Sequence, residues 1–319
     1  MSENAPIPLP VILGPTGSGK SELSLFIAVA IGGEIVSFDS VQIYRGFDIG
    51  AAKLSLDERR GVPHHLIDMA EPTELFSAGD YARAAEAAVR EISARGRIAV
   101  LVGGTGFYLR GLLEGLSPGP VRDGTLRARL LEREQERPGS MHRILARLDP
   151  VSGGRIHPND KNKTLRALEI RLLEGAPLAS MFQRGRAALT GYAPVKIGLD
   201  PPRELLYERL NERARKMFEQ GSLPQEVRRL LSRGVPPDAK PFESLGYKQA
   251  LQMLQGRIGA AQALESTQLE TRRYAKRQLT WFRKEYGVHW MAGFGDDPQV
   301  QIQALAILRN SGVVSPIKY

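Results

Sequence analysis

An eight-residue run near the amino terminus has the composition of a phosphate-binding loop. It fits the pattern G-x-x-x-x-G-K-[ST] at every defined position, and its members are Gly14, Pro15, Thr16, Gly17, Ser18, Gly19, Lys20 and Ser21. Its glycines let the backbone wrap closely around an anion, with successive N–H groups pointing inward. Lys20 would supply a mobile cation, and the Ser21 hydroxyl could hold Mg²⁺. The run therefore predicts a site for a diphosphate or triphosphate and leaves the chemistry open.

One carboxylate, Asp39, could act beside this loop. Motor ATPases and GTPases usually carry an acidic Mg²⁺ ligand at the end of a buried strand, whereas the strand predicted at 98–102 runs into Gly103, Gly104 and Thr105. Asp39 instead follows the strand predicted at 34–38, and strands of an open α/β sheet point their carboxyl ends at the ligand crevice. At that position Asp39 could be a Mg²⁺ ligand, a general base or a helix N-cap.

The elements that must position these residues alternate along the chain. Buried strands are predicted at 8–13, 34–38, 98–102 and 195–199, and helices at 21–30 and 78–95. Strands that alternate with helices favour a parallel sheet covered on both faces. We therefore expect an α/β fold, a P-loop NTPase-like parallel sheet flanked by helices.

The middle of the chain has a different character. Residues 117–120 (SPGP) break the chain, and a highly charged, helix-rich stretch follows. We interpret 121–193 as a mainly helical insertion domain. It would divide an α/β catalytic core made of 1–120 and 194–319, the second part of which carries the C-terminal helices.

Composition limits the classes of protein. The chain has 319 residues, 42% apolar and 25% charged, which is enough for a folded core. It contains no cysteine, which excludes disulfides, Cys-ligated zinc, iron–sulfur clusters and a thiol nucleophile. Its formal charge of +9 favours a polyanionic partner. Because no basic leader and no apolar run of ~18–20 residues is visible, we expect a cytoplasmic protein with no membrane partner.

A basic helix is predicted near the carboxyl end, within residues 266–290. Ala275, Leu279, Phe282 and Tyr286 recur at helical spacing and predict a buried stripe. The cations lie off this stripe; they are Arg272, Arg273, Lys276, Arg277, Arg283 and Lys284. This pattern is typical of a docked helix whose exposed face binds a phosphate backbone, and an ordinary solvated face is the alternative.

Several segments together resemble a known family. Residues 39–50 (DSVQIYRGFDIG) resemble the second motif of the tRNA dimethylallyltransferases, also called isopentenyltransferases. Further matches follow in the family's order: 61–68 (GVPHHLID), 103–109 (GGTGFYL), 159–160 (ND) with 166–169 (RALE), 245–248 (LGYK), 274–278 (YAKRQ) and 280–283 (TWFR). Any one of these is weak, but the ordered set is specific and spans about residues 9 to 285.

The resemblance implies a reaction. The family transfers a dimethylallyl group from dimethylallyl diphosphate to N6 of the adenine 3′-adjacent to the anticodon, position 37, in tRNAs that read codons beginning with U. Diphosphate is released with the help of Mg²⁺, so the phosphate loop would bind a prenyl diphosphate rather than ATP. The implied partners are the donor and the anticodon stem-loop of tRNA, and we expect a monomer.

Within that reaction Asp39 suits the general base, since the N6 amine is a poor nucleophile until it loses a proton. Lys20, the loop N–H groups, Mg²⁺ on Ser21 and an arginine would neutralise the leaving diphosphate. Residues 205–213 resemble the family's L-x-x-R-I-x-x-R helix, which makes Arg213 the first choice for that arginine and Arg209 the second. Alternatively, both arginines pair with nearby glutamates on a solvated face.

Thr105 could contact the target amine or the extruded base; alternatively, residues 103–106 have only a structural role as a turn. Gln42 could form hydrogen bonds with an edge of the adenine. The residues that would contact tRNA are Asp39, Ser40, Val41, Gln42, Thr105, Arg127, Lys163, Arg166, Lys248, Arg273, Lys276 and Arg277.

Four positions depart from the family's pattern, which usually has Thr and Pro at Ala51 and Leu54, Arg at Lys163 and often Asp at Arg215. They leave the catalytic core intact and bear on fine tRNA selectivity.

Two other classes of protein share parts of this pattern. One is a small-molecule P-loop enzyme, either an ATP-dependent kinase or an isopentenyltransferase that acts on free adenine nucleotides. The other is a non-catalytic RNA-binding protein with a relic nucleotide loop. The charged insertion and the basic helix favour a macromolecular acceptor, and an intact Lys20, Ser21 and Asp39 favour catalysis.

Overall fold

A parallel sheet carries the phosphate loop. The computed structural model describes residues 6–117, 119–178, 181 and 187–313, and within them six strands form one sheet in the order β3-β2-β4-β1-β5-β6. The strands are β1 (Ile7–Leu13), β2 (Glu34–Ser37), β3 (His64–His65), β4 (Ala99–Gly103), β5 (Tyr192–Leu199) and β6 (Val288–Met291). Every paired neighbour runs parallel. The predicted α/β fold is confirmed.

The two prolines of β1 are compatible with its central place in the sheet. Ile7 donates its N–H to Gly191 O beside β5, so Pro8 and Pro10, which lack an N–H, would face the β4 side. β4 pairs with β1 only from Val11 onward. The prolines therefore remove no ladder hydrogen bond on that side.

Helices cover the sheet. In the compact unit formed by Met1–Leu113 and Leu189–Tyr319, called the first unit, they are α1 (Lys20–Ile31), α2 (Ala78–Ala94), α3 (Gly106–Leu113), α8 (Arg203–Glu219), α9 (Ser222–Ser232), α10 (Tyr247–Leu254), α11 (Ala260–Phe282) and α12 (Pro298–Asn310), with a 3₁₀ turn at Lys240–Glu243. The second unit, Glu114–Ala188, contains α4 (Gly124–Glu136), α5 (Ser140–Leu148), α6 (Pro150–Arg155) and α7 (Lys161–Glu174). The sequence explains their ends. Ser77 and Asp80 form a reciprocal capping box before α2, and Gly32 ends α1 in the left-handed conformation.

The order of the strands brings three loops together. β2, β4 and β1 are neighbours, so Asp39 after β2, Gly104 after β4 and the phosphate loop after β1 lie at the same carboxyl edge. These strands are buried throughout except at the first residues of β1. The positions of the three loops are therefore fixed by core packing.

The second unit, Glu114–Ala188, is helical. Leucines at positions 130, 145, 165 and 168 form its core with Met141. The insertion expected from the sequence was 121–193, and Pro118 of its leading SPGP break lies outside the described residues.

One expectation for α11 is wrong. Ala275 and Phe282 are fully buried, but Tyr286 is 92% exposed. The helix ends at Phe282, and the chain turns through Arg283 and Lys284, so position 286 no longer shares the helical face on which the stripe was predicted. In the ranges that the structure describes, no helix has the length and hydropathy to cross a membrane.

Candidate active site

The phosphate loop is shaped to hold an anion. Gly17 and Gly19 have φ of 79° and 84°, a region that disfavours side chains. A Cβ on Gly17 would lie 2.6 Å from the Leu210 side chain, and one on Gly19 would lie 2.7 Å from the Gly295 nitrogen. The backbone N–H groups of Gly19, Lys20 and Ser21 have no partner among the described residues. These three N–H donors at the start of α1 are therefore available to bind an anion.

A distant segment supports this loop from outside. Gly295 donates its N–H to Ser18 O at 2.9 Å, and a Cβ on Gly295 would lie 2.3 Å from Gly19 O. Sequence reasoning missed this segment, because its contact with the loop spans more than 270 residues and has no local pattern.

A buried glutamine ties the loop to its neighbour. Gln278 Oε1 accepts the Thr16 N–H at 2.8 Å, and its Nε2 donates to Gly104 O at 2.9 Å. The side chain that was expected only to lie on a basic helix thus connects the ends of β1 and β4. A side chain at Gly104 would collide with this amide, at 2.3 Å.

The phosphate loop opens onto a cavity of about 550 Å³ within the first unit. The loop, the end of β2 and helix α8 form its walls. The polar and charged lining residues are Thr16, Lys20, Ser21, Glu22, Ser37, Asp39, Gln42, Arg209, Glu212, Arg213, Lys216, Gln220 and Ser222. Ala51 and Leu54, two of the positions that depart from the family's pattern, also line it.

Lys20 and Arg213 face this cavity, and neither forms an ion pair within the described residues. Burial lowers the pKa of Lys20 to about 8; the Asp39 charge opposes this shift and the Arg213 charge adds to it. Its Nζ donates to Pro15 O at 2.7 Å. Burial likewise lowers the pKa of Arg213, with Asp39 opposing, and no ion pair of Arg213 is found in the described chain. The pair is arranged for an anion that the protein itself does not supply.

Arg209 lies at the rim with a different partner from those expected. Its guanidinium binds Asp296 in a bidentate pair, at 2.8 and 3.0 Å, and stacks 4.9 Å from the centre of the Phe294 ring. The alternative that it pairs with Glu208 or Glu212 is therefore wrong, since Glu212 binds Arg215 and Lys216 instead. Arg215, another departure from the family pattern, thus forms ion pairs with Glu212 and Glu219 on the exposed surface of α8.

The Asp39 carboxylate caps the following backbone turn with one oxygen and leaves the other oxygen available to act as a general base. Its Oδ1 accepts the N–H groups of Val41 at 2.8 Å and Gln42 at 3.2 Å, which fixes the carboxylate. Its Oδ2 has no hydrogen-bond partner among the described residues, and Asp39 lines the cavity. Its charge acts on the pKa values of Lys20 and Arg213, so it lies close to both.

Thr105 and Gln42 are held by the neighbours of Asp39. Thr105 Oγ1 accepts the Ser40 N–H at 3.1 Å. Thr105 directly precedes α3 and does not line the cavity. Gln42 accepts from the Ser37 hydroxyl and donates to Ala51 O, at 3.0 and 3.1 Å. Each side chain is positioned beside the carboxylate, and contact with a base remains a prediction.

Two tyrosines near the cavity were not singled out from the sequence. Burial, and then the Asp39 charge, raises the pKa of Tyr274 to about 12, so its hydroxyl stays a donor near that carboxylate. The Tyr247 hydroxyl donates to Glu226 and accepts the Gly50 N–H at 3.0 Å. Glu226 also accepts the Ile49 N–H at 2.9 Å, and together they fix the loop that carries Ala51.

The cations predicted to contact tRNA have two kinds of environment. On α10 and α11, Lys248, Arg273, Lys276 and Arg277 are exposed. Within the second unit, Arg127 and Arg166 bind the fully buried Glu169 at 3.1 and 2.6 Å, whereas Lys163 pairs with Asp160 at 2.7 Å on the surface. The two arginines thus support the fold of that unit, and their contact with RNA stays a prediction.

The donor set fits a metal ion only in part. In the described ranges no group of three or more His, Asp or Glu residues could enclose one. Ser21 Oγ and Asp39 Oδ2 remain open to the cavity. Because Mg²⁺ keeps several waters and is held by one or two protein groups together with substrate phosphates, these residues suit an ion that is bound jointly with a diphosphate.

Comparison with known proteins places this geometry in a family. A family model described as IPP transferase matches residues 42–285. The tRNA dimethylallyltransferase of Solibacter usitatus (strain Ellin6076) is 55% identical over 299 residues, 94% of this chain and 97% of that protein. That of Koribacter versatilis (strain Ellin345) is 49% identical over 302 residues, 94% and 98% of the two chains.

Solved structures agree. The full-length tRNA isopentenylpyrophosphate transferase of Bacillus halodurans is similar with a TM-score of 0.69 and 37% identity, over 96% of both chains. A eukaryotic dimethylallyltransferase acting on tRNA is similar with a TM-score of 0.80 and 26% identity, over 98% of this chain and 81% of the other. The resemblance inferred from the ordered motifs is confirmed: this chain belongs to the IPP transferase family.

Proposed function

We propose that this enzyme transfers a dimethylallyl group from dimethylallyl diphosphate to N6 of the adenine 3′-adjacent to the tRNA anticodon. One observation carries the proposal. A single cavity is lined by the phosphate loop, by Lys20 and Arg213, which form no ion pair within the described residues, and by Asp39, whose carboxylate is fixed by two backbone N–H groups. A prenyl transfer to an amine needs these groups together: a site for the leaving diphosphate and a proton acceptor at the nucleophile.

The bond changes fit the arrangement. The N6–C bond forms as the allylic C–O bond breaks, the electron pair of that bond leaves with diphosphate, and one proton leaves N6. Lys20, Arg213 and the N–H groups at the start of α1 would bind the leaving anion. Asp39 Oδ2 would accept the proton, because Oδ1 is already held by Val41 and Gln42.

The cavity volume and its surroundings support this assignment. About 550 Å³ lies within the roughly 300–1,000 Å³ range of small-molecule sites. A target adenine must leave its stack to reach a carboxylate at the end of a buried strand. Mg²⁺ held by Ser21 together with the donor would neutralise part of the diphosphate charge.

The partner assignments follow from the same reaction. The formal charge of +9 and the exposed cations of α10 and α11 suit the anticodon stem-loop of tRNA. Because tRNA is the acceptor, we propose that the enzyme works in the cytoplasm. We also propose that the working unit is a monomer.

A transfer assay tests the proposal. Purified protein is incubated with Mg²⁺ and labelled dimethylallyl diphosphate together with unmodified tRNA, free AMP or no acceptor. Label on tRNA alone is expected, and digestion should place it on the adenine next to the anticodon. Label on AMP would identify a small-molecule enzyme, and label on neither acceptor would contradict a prenyltransferase.

A further inference from the structure

The chain between β6 and α12 lies against the phosphate loop. Phe294, Gly295 and Asp296, here termed the 294–296 segment, come after the residues that the family model matches, which end at 285. Gly295 donates its N–H to Ser18 O, and a Cβ at position 295 would lie 2.3 Å from Gly19 O. Such a close approach of two backbones needs a glycine. The segment is therefore held against the loop by backbone contact.

This contact places a carboxylate beside an anion site. Asp296 Oδ1 would lie 2.7 Å from a Cβ on Gly19, whose N–H is one of the donors at the start of α1. The hydrogen bond from Arg209 lowers the pKa of Asp296, so the carboxylate is ionised at neutral pH. An uncompensated negative charge here would repel a diphosphate, because like charges at short range interact unfavourably. The carboxylate is therefore compatible with an anion site only in combination with a cation.

Arg209 is that cation, and its pair with Asp296 uses only part of the guanidinium. Each terminal nitrogen donates one N–H to the carboxylate, at 2.8 and 3.0 Å. A guanidinium has five N–H groups, so three remain beyond this pair. The centre of the Phe294 ring lies 4.9 Å from Arg209 Cζ, and Arg209 lines the cavity. The 294–296 segment thus holds the guanidinium at the cavity while N–H donors remain for a ligand.

Holding this side chain in advance favours binding. Arg209 lies four residues before Arg213 on α8, a spacing that puts both on one face of the helix, but Arg209 is the more exposed of the two. An exposed arginine that is not held samples many rotamers and loses that freedom when it binds a ligand, whereas a side chain already in place avoids the loss. A bidentate pair is suited to this task, because it fixes the orientation of the guanidinium as well as its position.

We propose that Asp296 is a positioning residue, which holds the Arg209 guanidinium at the edge of the phosphate loop so that the arginine binds the diphosphate of the donor. The proposal rests on the proposed function, which supplies that diphosphate. The opposite reading is that Asp296 sequesters Arg209 and repels the donor. Positioning is favoured because Arg209 lines the cavity while it is paired, so its remaining N–H groups need no rearrangement to meet an anion.

Asp296→Asn tests the sign of the effect, because it removes the negative charge and one of the two acceptors. We expect the Kd for dimethylallyl diphosphate, measured by calorimetry, to rise about 3- to 10-fold as the cost of ordering Arg209 returns to the binding step. We expect kcat to stay within about twofold, since uniform binding is what is lost. A Kd that falls, as sequestration predicts, or one that does not change would overturn the proposal.

Asp297→Asn is the matched control. It removes the same charge one residue later, and the Asp297 carboxylate accepts the Gln299 N–H at the start of α12, a cap that asparagine can also form. The Kd for dimethylallyl diphosphate should stay at the wild-type value. A rise equal to that in Asp296→Asn would assign the effect to the net charge of this region and overturn the positioning role.

A double-mutant cycle shows whether Asp296 acts through Arg209. Arg209→Gln should raise the Kd about 10-fold, and adding Asp296→Asn to it should change the Kd by less than about twofold. The two side chains are 41% and 44% exposed, so each variant should fold. An equal effect of Asp296→Asn in both backgrounds would mean that the carboxylate acts on the loop directly, which contradicts the proposal.

The transfer assay separates failure of this inference from failure of the proposed function. If the wild-type enzyme transfers the dimethylallyl group to tRNA while the cycle is additive, Asp296 does not position Arg209 and the proposed function stands. If the wild-type enzyme binds no dimethylallyl diphosphate, both are wrong.

Discussion

Lys20 and Arg213 are half-buried cations that line one cavity, and neither forms an ion pair within the described residues. Binding of an anion beside them is therefore coupled to binding of a proton. The pKa of Lys20 in the free protein is about 8, mainly because of burial. A diphosphate beside its ammonium would raise that pKa. Binding of dimethylallyl diphosphate at pH 8–9 should therefore take up a proton, and affinity should fall as the pH rises above about 8. Below pH 7 Lys20 is already protonated and adds no pH dependence.

Calorimetry in two buffers with different ionisation enthalpies measures the proton uptake. Lys20→Arg is the control, because an arginine stays protonated throughout this range. In that variant the uptake should vanish even if some affinity remains. Equal proton uptake in wild type and Lys20→Arg would assign the titration to another group.

Asp39 is both a turn acceptor and the proposed base, and one substitution separates the roles. In Asp39→Asn the side-chain oxygen still accepts from Val41 and Gln42, but no carboxylate remains. We expect kcat to fall about 10²- to 10⁴-fold, while donor and tRNA binding persist. Asp39→Ala should lose turnover and also loosen the turn, which its melting temperature would report. Near-normal turnover in Asp39→Asn would show that Asp39 only accepts the N–H groups of the following turn and is not the base.

Which of these side chains the sequence could predict depends on how local their contacts are. The phosphate loop is recognisable because eight consecutive residues specify it. Asp39 follows from its place at the end of a strand. The bidentate partner of Arg209, Asp296, lies 87 positions away. Tyr274, whose pKa the Asp39 charge raises, is likewise distant from that carboxylate in the sequence, so neither relation had a local signal.

Helix α11 joins two strand ends through one side chain. Gln278 satisfies the Thr16 N–H and Gly104 O, both near the phosphate loop. Gln278→Met keeps much of the volume and leaves two polar groups unpaired. It should lower the free energy of unfolding by about 1–3 kcal/mol and raise KM for dimethylallyl diphosphate.

Gln268→Met is the matched control, since Gln268 lies on the same helix and its amide donates only to Asn211 O at 3.2 Å. It should change the free energy of unfolding by about 1 kcal/mol or less and leave that KM unchanged. Urea unfolding and donor titration measure both quantities. An equal decrease in the free energy of unfolding in both variants would mean that the substitutions act on the stability of the helix and not on the hydrogen bonds of Gln278 to Thr16 and Gly104.

Elements were easier to predict than their ends. Apolar runs predicted β1, β2, β4 and β5, because parallel strands buried on both faces need them. The two edge strands β3 and β6 were not predicted, since neither is a continuous apolar run. The end of α11 was missed: Phe282 is buried, and Gly287 and the turn at 283–285 bring the chain into β6. The turn is determined by the pairing of Val288–Met291 with β5. This pairing is long-range, so the local sequence pattern gives no sign that the helix ends at Phe282.

Two compact units make up the chain, and a buried ion cluster supports the second. Glu169 is fully buried and binds Arg127 and Arg166, and it also accepts the Asp123 N–H at 2.9 Å. Breaking a buried pair costs about 3–5 kcal/mol, and solvent reaching the partly exposed arginines reduces this cost to about 2 kcal/mol here. Glu169→Gln should therefore destabilise residues 114–188 selectively.

Hydrogen exchange measures this effect region by region. In Glu169→Gln, amide exchange should accelerate across α4 and α7, while diphosphate binding in the first unit keeps its wild-type Kd. Lys163→Gln is the control, because its pair with Asp160 is exposed and contributes little. If Glu169→Gln instead accelerated exchange in β1 and β4 as strongly, the two units would unfold as one cooperative body, and the insertion would be part of the catalytic core.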